Sequence, residues 1–137
     1  MTVSGPAIAS VELLVAGPQP WTMMLTRFGY TVSGHMSVPD DREVTVLRAD
    51  EACVLLTVPC AGSATAARLA VHGPGIRGIA LDVGDLDAVF QSAVAAGATP
   101  VWPPQWRVNV TGDLQLVHTG TAVVDFGALR FTLRACR

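Results

Sequence analysis

The chain has 137 residues, a length suited to one domain that buries roughly two thirds of its unfolded surface. Half of its residues are hydrophobic and 15% are charged, which excludes a disordered tail. A net charge of −2, with nine arginines and no lysine, leaves no basic footprint for nucleic acid or an acidic membrane.

The opening MTVSGPAIAS has no basic segment and no long apolar run, so no signal peptide is expected. No apolar stretch approaches the length of a membrane span. Cys53, Cys60 and Cys136 are odd in number and form no C-x-x-C motif, which suits reduced thiols in a cytoplasmic protein. VELLVAG (Val11–Gly17) reads as a strand, and Trp21, Met24, Leu25 and Phe28 then recur on one helical face. Gly29 ends that helix, and YTVSGH, REVTVLRAD and ACVLLTVPC read as three strands separated by turns. The Gly/Ala/Ser-rich stretch over 61–75 reads as a connector, with His72 in the turn that leads out of it.

The pattern then begins again. IRGIALDV (Ile76–Val83) is a strand, and Asp85 is placed to cap a helix whose stripe is Leu86, Val89, Phe90 and Ala93. Gly97 ends it, and ATPVWPPQW, LQLVHTG with TAVV, and ALRFTLRA supply further strands. Pro103 and Pro104 lack the N–H that a central strand needs, so they mark an edge or a bulge. The units beginning at Val11 and Ile79 are therefore an internal repeat of strand, helix, glycine and strands. The expected class is α+β: one domain with two βαβββ modules, over about residues 8–60 and 76–135. Such modules pack into a curved mixed sheet, with helices on the convex side and a cup on the concave side.

Paired βαβββ units resemble the vicinal oxygen chelate superfamily of glyoxalases, bleomycin-resistance proteins and dioxygenases. His72 through Asp85, HGPGIRGIALDVGD, with the later AAGATPV and the early VELLV, is similar to the amino-terminal half of 4-hydroxyphenylpyruvate dioxygenase and hydroxymandelate synthase. In those enzymes the amino-terminal half is the degenerate one; the superfamily resemblance implies that an iron- or zinc-binding member would have ligands opening the first and fifth strands and a glutamate on the last. The matching positions are Ser10, Gly78 and Thr132, and none supplies the imidazole or carboxylate those metals want. His35, His72 and His118 are not spaced to replace them, so no metal and no cofactor is expected.

Strand alternation puts Glu12 and Asp82 on the cup face, where a carboxylate is costly unless paired or functional. They are the candidate acid/base residues, and pairing to Arg130 or Arg134 is the structural alternative. Arg130 and Thr132 share a face opposite Phe131, and His118 lies on a late strand. Trp102 and Trp106 flank the two prolines with flat indoles suited to stacking on an aromatic ligand, or to an interface. These five residues form the candidate ligand-binding set. The expected activity is metal-free binding of a small hydrophobic, aromatic or polycyclic molecule in the cup, with a resistance, sequestration or carrier role in specialised metabolism such as antibiotic resistance or biosynthesis. A metal-independent isomerase, cyclase or lyase is the alternative, and an iron dioxygenase the third reading. A bacterial source and a homodimer are expectations of the same kind; nucleic-acid and membrane partners are not expected.

Overall fold

The computed structural model describes residues 6–136. It opens with β1 (Ala7–Leu14), α1 (Gln19–Arg27), β2 (Thr31–Val38), β3 (Arg42–Ala49) and β4 (Ala52–Pro59), followed by α2 (Ala64–His72). The order restarts with β5 (Gly75–Asp82), α3 (Leu86–Ala95), β6 (Thr99–Val110), β7 (Leu116–Phe126) and β8 (Leu129–Cys136). The class is α+β, and both βαβββ modules are present. The chain divides into two compact units, Ser10–Arg77 and a second built from Gly78 onward with the first residues of β1.

In the first unit β1 runs parallel to β4, while β2, β3 and β4 pair antiparallel in succession. Leu25 of α1 packs with Leu47 and Leu56, and Trp21, Leu13 and Val54 close around them. Leu47 and Leu56 retain no exposed surface. Trp21 and Leu25 are one helical turn apart, so a single stripe of α1 supplies this contact. Directly paired strand residues share a face, so Leu14, Val44, Val46, Cys53 and Thr57 lie on the side away from α1, and all five are buried.

The stretch expected as a connector carries α2 instead. Ser63, in extended conformation, accepts the Ala66 N–H at 3.0 Å and so satisfies one of the first-turn donors. The following Ala-rich run has high helix propensity but no broad apolar stripe, which hid the helix in the sequence. Thr65, nearly fully buried, donates its hydroxyl to Asp41 Oδ2 at 2.8 Å, and α2 packs against β4. The Thr65 hydroxyl and the Arg42 guanidinium hold the Asp41 carboxyl below its ordinary pKa. His72 is thus the exposed last residue of α2, not part of a turn. Gly73, at φ +74°, ends the helix and donates its N–H to Leu69 O at 2.8 Å.

In the second unit β5 runs parallel to β8, β8 antiparallel to β7, and β7 antiparallel to β6. Asp85 caps α3 by accepting the Ala88 N–H at 3.1 Å, and α3 lies against β6, β7 and β8. Val83, Leu86, Ala122, Leu133 and Ala135 form the core beneath it, flanked by Val89, Phe90, Trp106 and Phe131. Among the described residues β6 pairs only with β7, and irregularities on either side of Trp102 accommodate Pro103 and Pro104 as expected of an edge. β7 is one continuous strand through Gly120, where LQLVHTG and TAVV read as separate pieces. A Cβ on Gly120 would lie 2.7 Å from Leu86 Cδ2 and 2.8 Å from Trp106 Cε3, so the core admits only hydrogen there.

Candidate functional site

Phe131, Leu133 and Ala135 turn towards α3, so alternation sends Arg130, Thr132, Arg134 and Cys136 to the opposite face of the second unit. Strand pairing extends each of them into a row. Asp82 stands opposite Arg134, which stands opposite Thr121, which stands opposite Gln105. The next row is Ala80, Thr132, Val123 and Trp102. Beyond it come Gly78, Arg130 and Asp125. A small, largely apolar row carrying one indole therefore lies between two rows that each carry an arginine and an aspartate.

The first of these rows opens into a cavity of about 610 Å³ lined by Asp82, Val83, Thr119, Gly120, Thr121, Arg134, Ala135 and Cys136. Arg134 Nε and Nη2 donate to the same oxygen, Asp82 Oδ1, at 3.1 and 2.9 Å. Both side chains remain about half exposed, at 50% and 55%. The pair is electrically neutral as a unit, and exposure to water keeps its contribution to stability small. Asn109 Nδ2 donates to Thr119 Oγ1 at 3.0 Å and fixes that hydroxyl beside the cavity. In the outer charged row, Arg130 Nε and Nη2 grip the two oxygens of Asp125 at 2.8 and 3.1 Å, a two-pronged pair.

The residues singled out in the sequence fall in different places. Asp82 lines the cavity, and Thr132, Arg130 and Trp102 share its face; Trp102 is 57% exposed. Trp106 pairs with Gly120 on the α3 side and packs against the core. His118, opposite Val108, lies on that same side and is half-buried. Glu12 belongs to the first unit, where the buried Thr57 hydroxyl donates to its Oε2 at 2.5 Å and Arg77 Nη1 lies 3.5 Å away. Reasoning from sequence left Thr119, Thr121 and Cys136 aside. The period-two alternation of THR-GLY-THR and ARG-ALA-CYS in β7 and β8 was the signal that placed them with Arg134.

Among the described residues no three His, Cys, Asp or Glu side chains come together to hold a metal ion. Ser10, Gly78 and Thr132, at the positions implied by resemblance, offer at most two hydroxyls, and the donor set does not fit iron or zinc.

No family model and no curated protein matches the chain. Solved structures do. A triple mutant of 4-hydroxymandelate synthase from Streptomyces coelicolor is 26% identical over 98% of this chain, with a TM-score of 0.75. Methylmalonyl-CoA epimerase from Mycobacterium tuberculosis is 18% identical, covering 98% of this chain and 92% of its own, with a TM-score of 0.66. A hypothetical protein from Bacillus halodurans C-125 is 14% identical over 96% of this chain and 95% of its own, with a TM-score of 0.68. The chain therefore has the vicinal oxygen chelate fold. Within that fold it is similar to hydroxymandelate synthase, but it spans only 42% of the synthase chain.

Proposed function

We propose that this protein is a metal-free binder of a small aromatic or polycyclic molecule, with a resistance, sequestration or carrier role in specialised metabolism. The observation that carries this reading is the open cavity of about 610 Å³ on the second unit, with exposed Trp102 in the adjoining row. A flat indole beside a partly polar recess suits a ligand with a planar ring system and a polar edge. The misfit of Ser10, Gly78 and Thr132 to a metal supports the metal-free part, and the chain is not assigned dioxygenase chemistry. Titrating the isotopically labelled protein with naphthalene-ring compounds tests the proposal. Backbone amide shifts centred on Trp102, Thr121 and Arg134 are expected, and saturable shifts elsewhere, or none, would refute it.

The half-exposed Asp82 in that cavity favours a second reading, a metal-independent isomerase, cyclase or lyase in which Asp82 is the acid or base. Turnover of a bound compound that Asp82→Asn abolishes, with binding retained, would select it over simple sequestration. Glu12 is a weaker candidate for this role because Thr57 and Arg77 already engage its carboxylate. A cytoplasmic homodimer completes the proposal. The three free cysteines and the lack, among the described residues, of a helix long and apolar enough to cross a membrane are compatible with it. Sedimentation at micromolar concentration checks the dimer.

A further inference from the structure

The helix of the second unit does not fill its face of the sheet as the helix of the first does. The repeat that matches Val11 to Ile79 also matches Trp21 to Val89, Leu25 to Ala93 and Tyr30 to Ala98. In the first unit Trp21, Leu25 and Tyr30 pack together with Leu47 and Leu56. In the second, the smaller Val89, Ala93 and Ala98 border a cavity of about 340 Å³ whose floor is Leu81, Val124, Phe131 and Leu133. Phe126, 58% exposed, stands at its rim. This cavity lies on the α3 side of the sheet, the face opposite Asp82, Thr121 and Arg134.

Every residue that lines it is apolar, and none of their side chains carries a hydrogen-bonding atom. Water gains little there, because a buried water needs polar partners. A dry cavity of about 150 Å³ lined by such side chains takes up benzene, so the larger one here suits about ten carbons. We propose that it is a second ligand site, for an uncharged small molecule with a hydrocarbon skeleton of that size. The first unit supports the choice of occupant. What packs at the matching place there is an indole, an isobutyl group and a phenol ring, all largely hydrocarbon. A charged group would enter the cavity without a partner, which is costly.

The test titrates labelled protein with p-cymene and with 4-isopropylbenzoate, which carries a carboxylate in place of the methyl group. p-Cymene is expected to give saturable amide shifts at Val89, Ala93, Ala98 and Val124 and to raise Tm. The benzoate should bind at least about tenfold more weakly. Ala93→Leu introduces the residue of the first unit. It should weaken p-cymene at least about tenfold and leave Tm at or above that of wild type. Phe126→Ser changes only the exposed rim and should weaken p-cymene about threefold or more. Circular dichroism confirms that both variants fold. A lower Tm for Ala93→Leu would show a core already filled, and shifts centred on Trp102 and Thr121 would place p-cymene in the other cavity. Either result would overturn the site, as would equal affinity for the two probes. If p-cymene failed to bind while Ala96→Arg, at the exposed mouth, turned a dimer into a monomer, the face would belong to a second copy of the chain and the proposal would fall.

Discussion

Gly120→Ala is the sharpest test of how the second unit is packed. The new methyl would sit 2.7 Å from Leu86 Cδ2, 2.8 Å from Trp106 Cε3 and 2.9 Å from Trp106 Cδ2. Leu86 can swing its terminal carbon only within a core where it is 1% exposed, and the indole is rigid. Overpacking of this kind costs about 1–3 kcal/mol. Restricting the unfolded chain by replacing glycine returns about 0.5–1 kcal/mol, which leaves a mid-range net loss of about 1 kcal/mol. At about 3–4 °C per kcal/mol for a chain of this size, Tm should fall by about 3–4 °C in a calorimetric scan. Trp106→Phe exchanges the fused indole for a single phenyl ring and so removes Cε3, the nearer of the two indole atoms that the methyl strikes. The double variant should therefore recover about 1 kcal/mol relative to additivity. An unchanged or higher Tm for Gly120→Ala, or strict additivity with Trp106→Phe, would refute the close approach of these three residues.

Three further outcomes are expected. Leu56→Ala removes a side chain with no exposed surface from beneath α1 and should cost about 2–5 kcal/mol in urea unfolding. Thr57→Val deletes the buried hydroxyl that donates to Glu12 and should cost about 1–2 kcal/mol, falling towards zero when the acceptor is also removed by Glu12→Ala. Asp41 has a folded-state pKa below the ordinary value, so the folded protein holds its proton less tightly than the unfolded chain. Its contribution is complete above the ordinary carboxyl range and is lost as pH falls through the lowered folded value. The stability difference between wild type and Asp41→Asn should be flat above about pH 5 and shrink below about pH 4. A difference independent of pH would show that the Asp41–Thr65 contact does not depend on the charge.

Much of this architecture was legible because local patterning and tertiary packing agree. Trp21 and Leu25 lie on the stripe that α1 buries, Asp85 caps α3, and the two prolines distort an edge strand. α2 was not legible, because one of the contacts that holds it comes from Asp41, 24 positions upstream of Thr65. Gly120 read as a break between strands, whereas the demand for glycine is set by Leu86 and Trp106 from other elements. The site shows the same division. Plain alternation grouped Arg130 with Thr132 and put Asp82 on the open face. Trp102 and Trp106 are four residues apart and would share a face in a regular strand, but the irregularity between Trp102 and Gln105 sends them to opposite sides.

The repeat also explains why the site belongs to one module. Matching Val11 to Ile79 places Leu14 at the position that Asp82 occupies, and the pairing partners correspond as well. Leu14 stands opposite Thr57 on the neighbouring parallel strand, as Asp82 stands opposite Arg134. In the first unit both members are buried, with Leu14 3% exposed and Thr57 fully covered. In the second, both are about half exposed and line a cavity. One strand pair of the repeated pattern is core, and its counterpart is a polar wall. Exchanging the two chemistries should therefore have unequal consequences. Leu14→Asp buries an unpaired carboxylate and should cost at least about 3 kcal/mol. Asp82→Leu alters a half-exposed surface and should stay within about 1 kcal/mol of wild type. Comparable losses of stability in the two variants, measured by urea unfolding, would show that Asp82 is a structural residue rather than part of a binding wall.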